Sequence, residues 1–343
     1  MTEISQHAPA IGGAEHHSFI AHAGRYWMQG GAILIIVAVL AIFAILSPLF
    51  LTLGNVGNVL QQTAVIGILS FGLTLVLMGG GVHSLTGGID LSIAANMGLC
   101  AAVYAILLRQ GCFFGTAVLG ALLTGAALGL LNAVAVVRLR IMPLLATLTT
   151  MNIAIGLEMV VTQNAPVPAT GALLDLLISA GPLTIPWLSW GFALVALVFI
   201  VLTHFTRFGL RLQAVGGHSL AARAAGLAVY RYVALSYVLC GLCAGIAALA
   251  SVAVLSGSSP GSNDNLLMVI AAALLGVVFS RRLVPTIGGT LISGLFLSLI
   301  ANGFQLIAIS SYWINGVEGA LILLVVSLTA QLRRRQQRRK IHV

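Results

Sequence analysis

The sequence predicts an all-α, polytopic membrane protein with about ten transmembrane helices. Of its 343 residues, 59% are hydrophobic and only 7% are charged, whereas a soluble domain carries about 25% charged residues. The apolar residues fall in runs separated by short polar segments, and most runs approach the ~20 residues that cross a bilayer. Because the backbone must satisfy its own hydrogen bonds in hydrocarbon, each run is expected to be a helix.

Ten apolar runs define the expected spans. They occupy residues 31–52, 59–79, 91–108, 112–137, 143–161, 187–205, 232–255, 266–280, 285–308 and 313–331. Residues 1–30 are then expected to form an N-terminal tail, residues 31–331 one transmembrane domain, and residues 332–343 a basic C-terminal tail.

The basic residues predict the orientation of these spans. An even number of spans places both termini on the same side of the membrane. With the N-terminus in the cytoplasm, 15 of the 16 Lys and Arg residues fall in cytoplasmic segments, and only Arg109 does not. This is the bias expected of cytoplasmic loops, so both tails are expected to be cytoplasmic. It also explains the net charge of +9 without a nucleic acid as partner.

A polar segment, residues 206–231, interrupts the apolar runs at the middle of the chain. It contains four arginines and no acidic residue, and each arginine would cost about 2.5–3.5 kcal/mol at the centre of a bilayer. The segment is therefore expected in the cytoplasm, with Ser219 capping a short helix that ends near Gly226. Helices shorter than about 12–15 residues are marginal in water. This helix is expected to be stabilised by contact with a partner protein; the alternative is that the segment is an ordinary solvated connector.

The sequence lacks the common motif for binding the phosphates of ATP. A phosphate-binding loop of the GxxxxGK[ST] type needs a lysine, and the only lysine is Lys340 in the C-terminal tail. We therefore expect no cofactor in this chain, and any ATP and Mg²⁺ must be bound by a separate subunit.

Five polar residues are candidates for a solute pathway or a gate: Asp90, Asn132, Asp264, Asn302 and Gln305. Asp90 follows two glycines and is expected to cap a helix by accepting a hydrogen bond from a following amide; direct contact with solute or gating is the alternative. The two asparagines are expected to form interhelical hydrogen bonds, with pathway lining as the alternative. Gln305 can share a helix face with Asn302.

The two aspartates also hint at internal symmetry. Asp90 precedes the third span on the cytoplasmic side, and Asp264 precedes the eighth span on the exterior side. Repeats of five helices must be inverted, because five is odd. Inverted five-helix repeats are therefore a possible organisation.

The remaining reactive side chains have simpler interpretations. Cys240 and Cys243 form a CxxC within an apolar run and are expected to be packing residues. Glu158 and Glu318 fall near outer span ends, where they are expected to reach water, with a proton relay as the alternative. No metal site is expected.

Four stretches together resemble one known family. They are TGGIDLS at 86–92, GLLNAVAV at 129–136, RFGLRLQAVGGHSLAARAAGL at 207–227 and GGTLISGLFLSLIANGF at 288–304. In this order and spacing, the chain resembles the permease subunits of bacterial ABC importers for ribose-type sugars, in the branched-chain amino acid and ribose permease group. The resemblance covers about residues 35–331. The chain departs from the family pattern at SRRLVPT (280–286) and at Glu318.

The resemblance implies a set of partners and a docking segment. It implies a second permease, two cytoplasmic ABC ATPase subunits, a periplasmic substrate-binding protein, and a place in the inner membrane among its lipids. The coupling segment that meets the ATPase comprises Gly216, Gly217, His218, Ala221, Ala222, Arg223 and Gly226. The chain is therefore expected to be a permease subunit that imports a pentose, hexose or related polyol, and it is not expected to be an enzyme. The alternatives are an ion-gradient-driven secondary carrier of a small polar solute and a membrane enzyme.

Overall fold

The computed structural model describes residues 36–80, 88–280, 284–309 and the single positions 313, 316, 319, 320 and 323. Both predicted tails lie outside the described residues, as do Glu318 and residues 281–283. The described chain is all-α apart from a two-residue antiparallel ladder.

Twelve α-helices, α1 to α12, are described within these ranges. They are α1 (Ile36–Leu46), α2 (Leu53–Gly80), α3 (Ile93–Arg109), α4 (Phe114–Ala133), α5 (Pro143–Thr162), α6 (Ala172–Ile178), α7 (Trp187–His204), α8 (Arg207–Gly217), α9 (Ser219–Ala224), α10 (Val229–Leu255), α11 (Leu266–Phe279) and α12 (Ile287–Leu306). A π-helical turn, Val134–Arg138, continues α4, and strand β1 (Val167–Pro168) pairs with β2 (Gly257–Ser258).

The helices coincide with nine of the ten predicted spans. Six of them are long and apolar enough to cross a membrane, namely α2, α4 with its π-helical turn, α5, α7, α10 and α12. Three shorter apolar helices, α1, α3 and α11, match the first, third and eighth predicted spans. The tenth predicted span lies outside the continuously described ranges. The chain is a multi-pass helical membrane protein.

Helices α2 and α10 form the centre of the bundle. Helix α10 packs against α2, α3 and α4, and α2 also contacts α7, α11 and α12. Most of α2 is buried, whereas α4, α5 and α7 bury only one face. The outer faces of these three helices carry exposed apolar side chains such as Leu123, Val160 and Leu194, as expected of surfaces in contact with lipid.

Glycines allow α4 and α10 to cross backbone to backbone. Gly125 and Gly129 on α4 are four residues apart, as are Gly241 and Gly245 on α10. A Cβ atom on Gly125 would collide with the carbonyl oxygen of Gly241, and one on Gly241 with the carbonyl oxygen of Gly125. Such small-xxx-small pairs permit the close packing that holds helices together in a membrane. Asn96 of α3 donates to the Gly125 carbonyl at 3.2 Å and secures the crossing.

Helix starts follow from local sequence. Thr206 caps α8, because its Oγ1 accepts from the Gly209 amide at 3.4 Å, and Thr286 caps α12 through the Gly289 amide at 3.2 Å. Pro143 opens α5 at the position where a missing N–H costs nothing. These caps fix where the helices bordering the polar segments begin.

We predict that Gly241→Ala destabilises the protein by about 1–3 kcal/mol, since the added methyl group overpacks a backbone contact. The midpoint of thermal unfolding in detergent should fall. Gly191→Ala is the matched control, because nothing lies within 4 Å of a Cβ at Gly191. The control should keep or slightly raise the midpoint, as alanine favours helix over glycine. Equal midpoints for the two variants would contradict the proposed crossing.

Candidate functional site

Most of the site residues predicted from the sequence lie in one of two regions. One is a buried polar centre around Asp90, and the other is the coupling segment of residues 206–231. The first lies inside the bundle, and the second is exposed beyond the ends of α7 and α10.

The buried polar centre joins the segment before α3 to α4. Asp90 Oδ1 accepts from the Ser92 amide at 2.9 Å and from the Ser92 hydroxyl at 2.6 Å. Asn132 Nδ2 donates to Ser92 Oγ at 2.8 Å and to Asp90 Oδ2 at 3.2 Å. Asp90 thus accepts the amide bond that the sequence predicted, and it also connects to a side chain 42 residues away. The expectation that Asp90 caps α3 was wrong, because Ser92 occupies the N-cap position and Asp90 lies two residues before it.

A glycine makes room for this centre. Gly88 lies where a Cβ atom would meet the Val76 carbonyl oxygen at 2.5 Å, so residues 88–92 run directly against α2. The non-helical backbone here is buried, and the Asp90 carboxylate gives its polar groups acceptors that lipid cannot supply.

The polar centre is closed to solvent in this conformation. Asp90, Ser92 and Asn132 are all buried. Among the described residues, Asn132 Oδ1 and the Tyr237 hydroxyl have no hydrogen-bond partner. Among the described residues, the centre connects the segment before α3 to α4 by hydrogen bonds, and a role for Asp90 and Asn132 in a solute pathway or gate stays a prediction.

A second polar tie joins α2 to α12. Asn55 Nδ2 donates to Asn302 Oδ1 at 2.8 Å and to the Phe50 carbonyl at 2.9 Å. Gln62 Nε2 donates to Gln305 Oε1 at 3.2 Å. Asn302 and Gln305 therefore share the α12 face that meets α2, and Asn302 forms the interhelical bond expected of it.

Asp264 does not repeat the arrangement of Asp90. It is exposed on a 3₁₀ turn, Ser262–Asn265, just before α11. Asn302, which stands 38 residues further on, bonds to Asn55 instead. The spacing in the sequence resembles that of Asp90 and Asn132, but the side-chain contacts differ.

Glu158 corrects the expectation that it reaches water. Its side chain is only 4% exposed and lies against Gly98 of α3, which has no side chain to exclude it. Five of the six buried residues of α5 recur every four positions, namely Ala146, Thr150, Ala154, Glu158 and Thr162, and Thr147 is the sixth. The four-residue spacing of these small and polar residues was the sequence signal for a buried Glu158. Position along a span predicts how deep a residue lies in the membrane, but not whether its side chain points into the bundle.

The coupling segment folds into two helices. Helix α8 is anchored by buried Leu212 and Val215, and Gly209 packs on the Thr203 carbonyl at the end of α7. Helix α9 spans only Ser219–Ala224. Its cap is His218, whose Nδ1 accepts from the Ala221 amide at 3.1 Å, and so the expectation that Ser219 is the cap was wrong. His218 is the last extended residue, whereas Ser219 is already helical.

The predicted coupling residues differ in exposure. Gly217, His218, Ala221, Arg223 and Gly226 are exposed, Gly216 is half-buried, and Ala222 is buried at 6% exposure. Gly226 has φ +81°, a conformation that favours glycine, and it ends the segment's helical turn. Ala222 therefore anchors α9, and the small residues around it form the accessible surface.

Tyrosines hold two arginines of the segment. Arg211 donates to the Tyr232 hydroxyl at 3.2 Å, and Arg231 donates to the Tyr230 hydroxyl at 3.0 Å.

Within the described part of the chain, no group of three His, Cys, Asp or Glu residues could hold a metal ion. Cys240 and Cys243 are fully buried, in keeping with a packing role.

The fold is that of a polytopic helical membrane protein, and its central polar segment presents exposed residues of the two short helices α8 and α9. Residues 55–326 match the family described as "Branched-chain amino acid transport system / permease component". The chain belongs to this family. It is accordingly a transport permease and not an enzyme.

Named relatives are similar over most of the chain. The ribose import permease protein RbsC of Escherichia coli K12 is 35% identical over 304 residues, which are 87% of this chain and 92% of the relative. The D-allose transport system permease protein AlsC of the same strain is 30% identical, over 88% and 92% of the two chains. A metal-chelate type ABC transporter in an inward-facing conformation shares the fold, with TM-score 0.50, 15% identity, and coverage of 88% and 99%.

We predict that Asp90→Ala lowers the unfolding midpoint, because it removes the acceptor of two Ser92 donors and one Asn132 donor. A stranded buried donor costs about 1–3 kcal/mol. Asp264→Ala is the control, since the Asp264 side chain is exposed, and it should leave the midpoint unchanged. Thermal unfolding of both purified variants in detergent is the measurement. Similar midpoints for both variants would show that the tie contributes little.

Proposed function

We propose that this chain is the membrane-spanning permease subunit of an ATP-driven ABC importer for a small sugar: a pentose, a hexose or a related polyol. The observation that carries the proposal is the similarity, over 87–88% of the chain, to permeases named for ribose and D-allose. ATP and Mg²⁺ are bound by separate ATPase subunits. The same similarity favours this function over a secondary carrier.

The α8–α9 element suits docking of an ATPase. Gly217 and Ala221 are small, exposed residues that let a partner approach the backbone closely, and nothing lies within 4 Å of a Cβ at Gly217. The α9 helix has six residues and would be marginal on its own. Its support from Ala222 below makes it a firm contact surface for a partner above.

The packing of α8 provides a route for coupling. Helix α8 contacts α2, α7 and α10, and Leu212 lies against Gly79 near the end of α2. A displacement of α8 by closing ATPases would therefore press directly on the two central helices. Alternation between inward- and outward-facing states then follows from movement of α2 and α10 relative to the outer helices.

The complete topology is also part of the proposal. We infer ten spans in the bacterial inner membrane, both tails in the cytoplasm, and inverted five-helix halves. The short helices α3 and α11 support the halves, because they are the third and eighth predicted spans and each directly follows a short polar segment with an aspartate. A second permease completes the pathway, and a periplasmic binding protein delivers the sugar.

Reconstituted vesicles test the function. The permease with its ATPases and binding protein should import labelled ribose or allose only with internal ATP, and a proton or sodium gradient without ATPase should give no uptake. Gly217→Phe should weaken ATPase binding by about tenfold or more, as obstruction of an interface centre does, and uptake should fall. Gly54→Phe is the control, because its Cβ position is equally open and Gly54 lies outside the coupling segment. Gradient-driven uptake, or unaltered ATPase binding by Gly217→Phe, would contradict the proposal.

The orientation can be tested with a native cysteine. Cys112 is exposed between α3 and α4, whereas Cys100, Cys240 and Cys243 are buried. A membrane-impermeant maleimide should label Cys112 in right-side-out vesicles, and Cys112→Ser should abolish the label. Ser219→Cys in that background should be labelled only in inverted vesicles. The opposite pattern would reverse the topology and exclude cytoplasmic docking at α9.

A further inference from the structure

A cavity of about 840 Å³ lies where the π-helical end of α4 meets α9 and the start of α10. Its volume falls within the ~300–1,000 Å³ range of ligand pockets. Three arginines line it: Arg138 and Arg140 beyond α4, and Arg223 on α9. This cavity is separate from the polar centre around Asp90, and of the predicted coupling residues it is lined by Arg223 but not by Gly217 or Ala221.

The charge of the cavity is uncompensated within the described chain. No acidic residue lines it, and residues 134–140 and 206–231 contain no Asp or Glu. Arg211 and Arg231, in a neighbouring groove, hydrogen-bond to tyrosine hydroxyls. Arg138, Arg140 and Arg223 have no such bond among the described residues, although they converge on one space. Three exposed guanidinium groups around one cavity favour an anion as its occupant.

Most of the remaining cavity wall is apolar, and its largest part comes from the end of α4 with its π-helical turn and the start of α10. Leu130 and Val134 line the cavity and are 55% and 41% exposed. They lie in the last turns of a helix that spans Phe114–Arg138, and α10 begins at Val229 on the other side. Two membrane-length helices therefore end at the cavity, which places it at the level where hydrocarbon gives way to water.

We propose that this cavity binds an anionic phospholipid of the cytoplasmic leaflet. The lipid phosphate lies among the three guanidinium groups, and an acyl chain follows the exposed face of α4 past Val134 and Leu130. Basic pockets between helices on the cytoplasmic side suit anionic headgroups, and arginine matches the geometry of phosphate. A soluble anion or an acidic protein would leave the apolar wall without an occupant.

The bound lipid would connect moving parts of the permease. Arg223 is on α9, whereas Arg138 and Arg140 follow α4, so one phosphate bridges the coupling segment to the transmembrane bundle. The composition of the membrane would then affect how firmly α9 is held. This consequence does not depend on which sugar the permease carries.

The test uses the purified full-length chain in a neutral detergent, which has no surface potential. Native mass spectrometry measures binding of phosphatidylglycerol, with phosphatidylcholine of the same acyl chains for comparison. We expect preferential binding of phosphatidylglycerol and a loss of about thirtyfold in Arg138→Gln/Arg140→Gln, since each net hydrogen bond from an arginine to the phosphate contributes about fivefold. Arg138→Lys/Arg140→Lys should restore much of the binding.

A charge-matched control separates the cavity from general attraction. Arg207→Gln/Arg211→Gln removes two cytoplasmic charges that do not line the cavity, and it should reduce binding less than threefold by this proposal. Equal losses in the two glutamine variants would overturn the proposal. So would displacement of the lipid by millimolar inorganic phosphate, which would assign the site to a free anion. Retained lipid binding with lost ATPase binding in Arg138→Gln/Arg140→Gln would assign the cavity to the protein partner.

Discussion

In hydrocarbon the hydrophobic effect does not drive helices to associate, and the whole bundle is subject to this constraint. Packing and interhelical hydrogen bonds must then select the neighbours. Gly125 of α4 meets Gly241 of α10 backbone to backbone, and Gly276 of α11 meets Gly289 of α12 in the same way. Helix α2 contacts α10, α11 and α12. The positions of glycines, more than those of large apolar side chains, therefore determine which helices are adjacent.

Two polar ties lie at the starts of α2 and α3. Asn55, in the first turn of α2, donates to Asn302 of α12, and the segment before α3 is held to α4 through Asp90 and Asn132. Since the backbone is not helical just before α2 and just before α3, side chains supply hydrogen-bond partners there. Helix α8 packs on Gly79, near the end of α2. A partner that moves α8 would thus act on a helix whose opposite end is held to α12.

Much of this architecture could be predicted from the sequence, because long apolar runs and arginine-rich connectors follow directly from the cost of polar groups in lipid. The Asp90 amide bond could be predicted too, since it is local. The Asn132 contact could not, because it depends on how α3 and α4 pack. The direction in which a side chain points was the hardest feature to predict. Glu158 was expected to reach water because of its position along the span, whereas it lies on the same buried face of α5 as Ala154 and Thr162, four residues to either side. For the cap of α9, two neighbouring side chains could accept, and backbone geometry selected His218.

Arginines in the polar segments raise a final electrostatic constraint. Residues 134–140 and 206–231 carry arginines without acidic residues, so the repulsion between these arginines must be reduced by tyrosine contacts, water or an external anion. Two arginines meet tyrosines, and three surround an apolar-walled cavity. Helix α9 borders the cavity with one surface: Leu220 and Arg223 line the cavity, while exposed Ala221 of the same helix and Gly217 at the end of α8 lie outside that lining. A six-residue helix can therefore be stabilised by lipid on one surface and still leave another open for a protein.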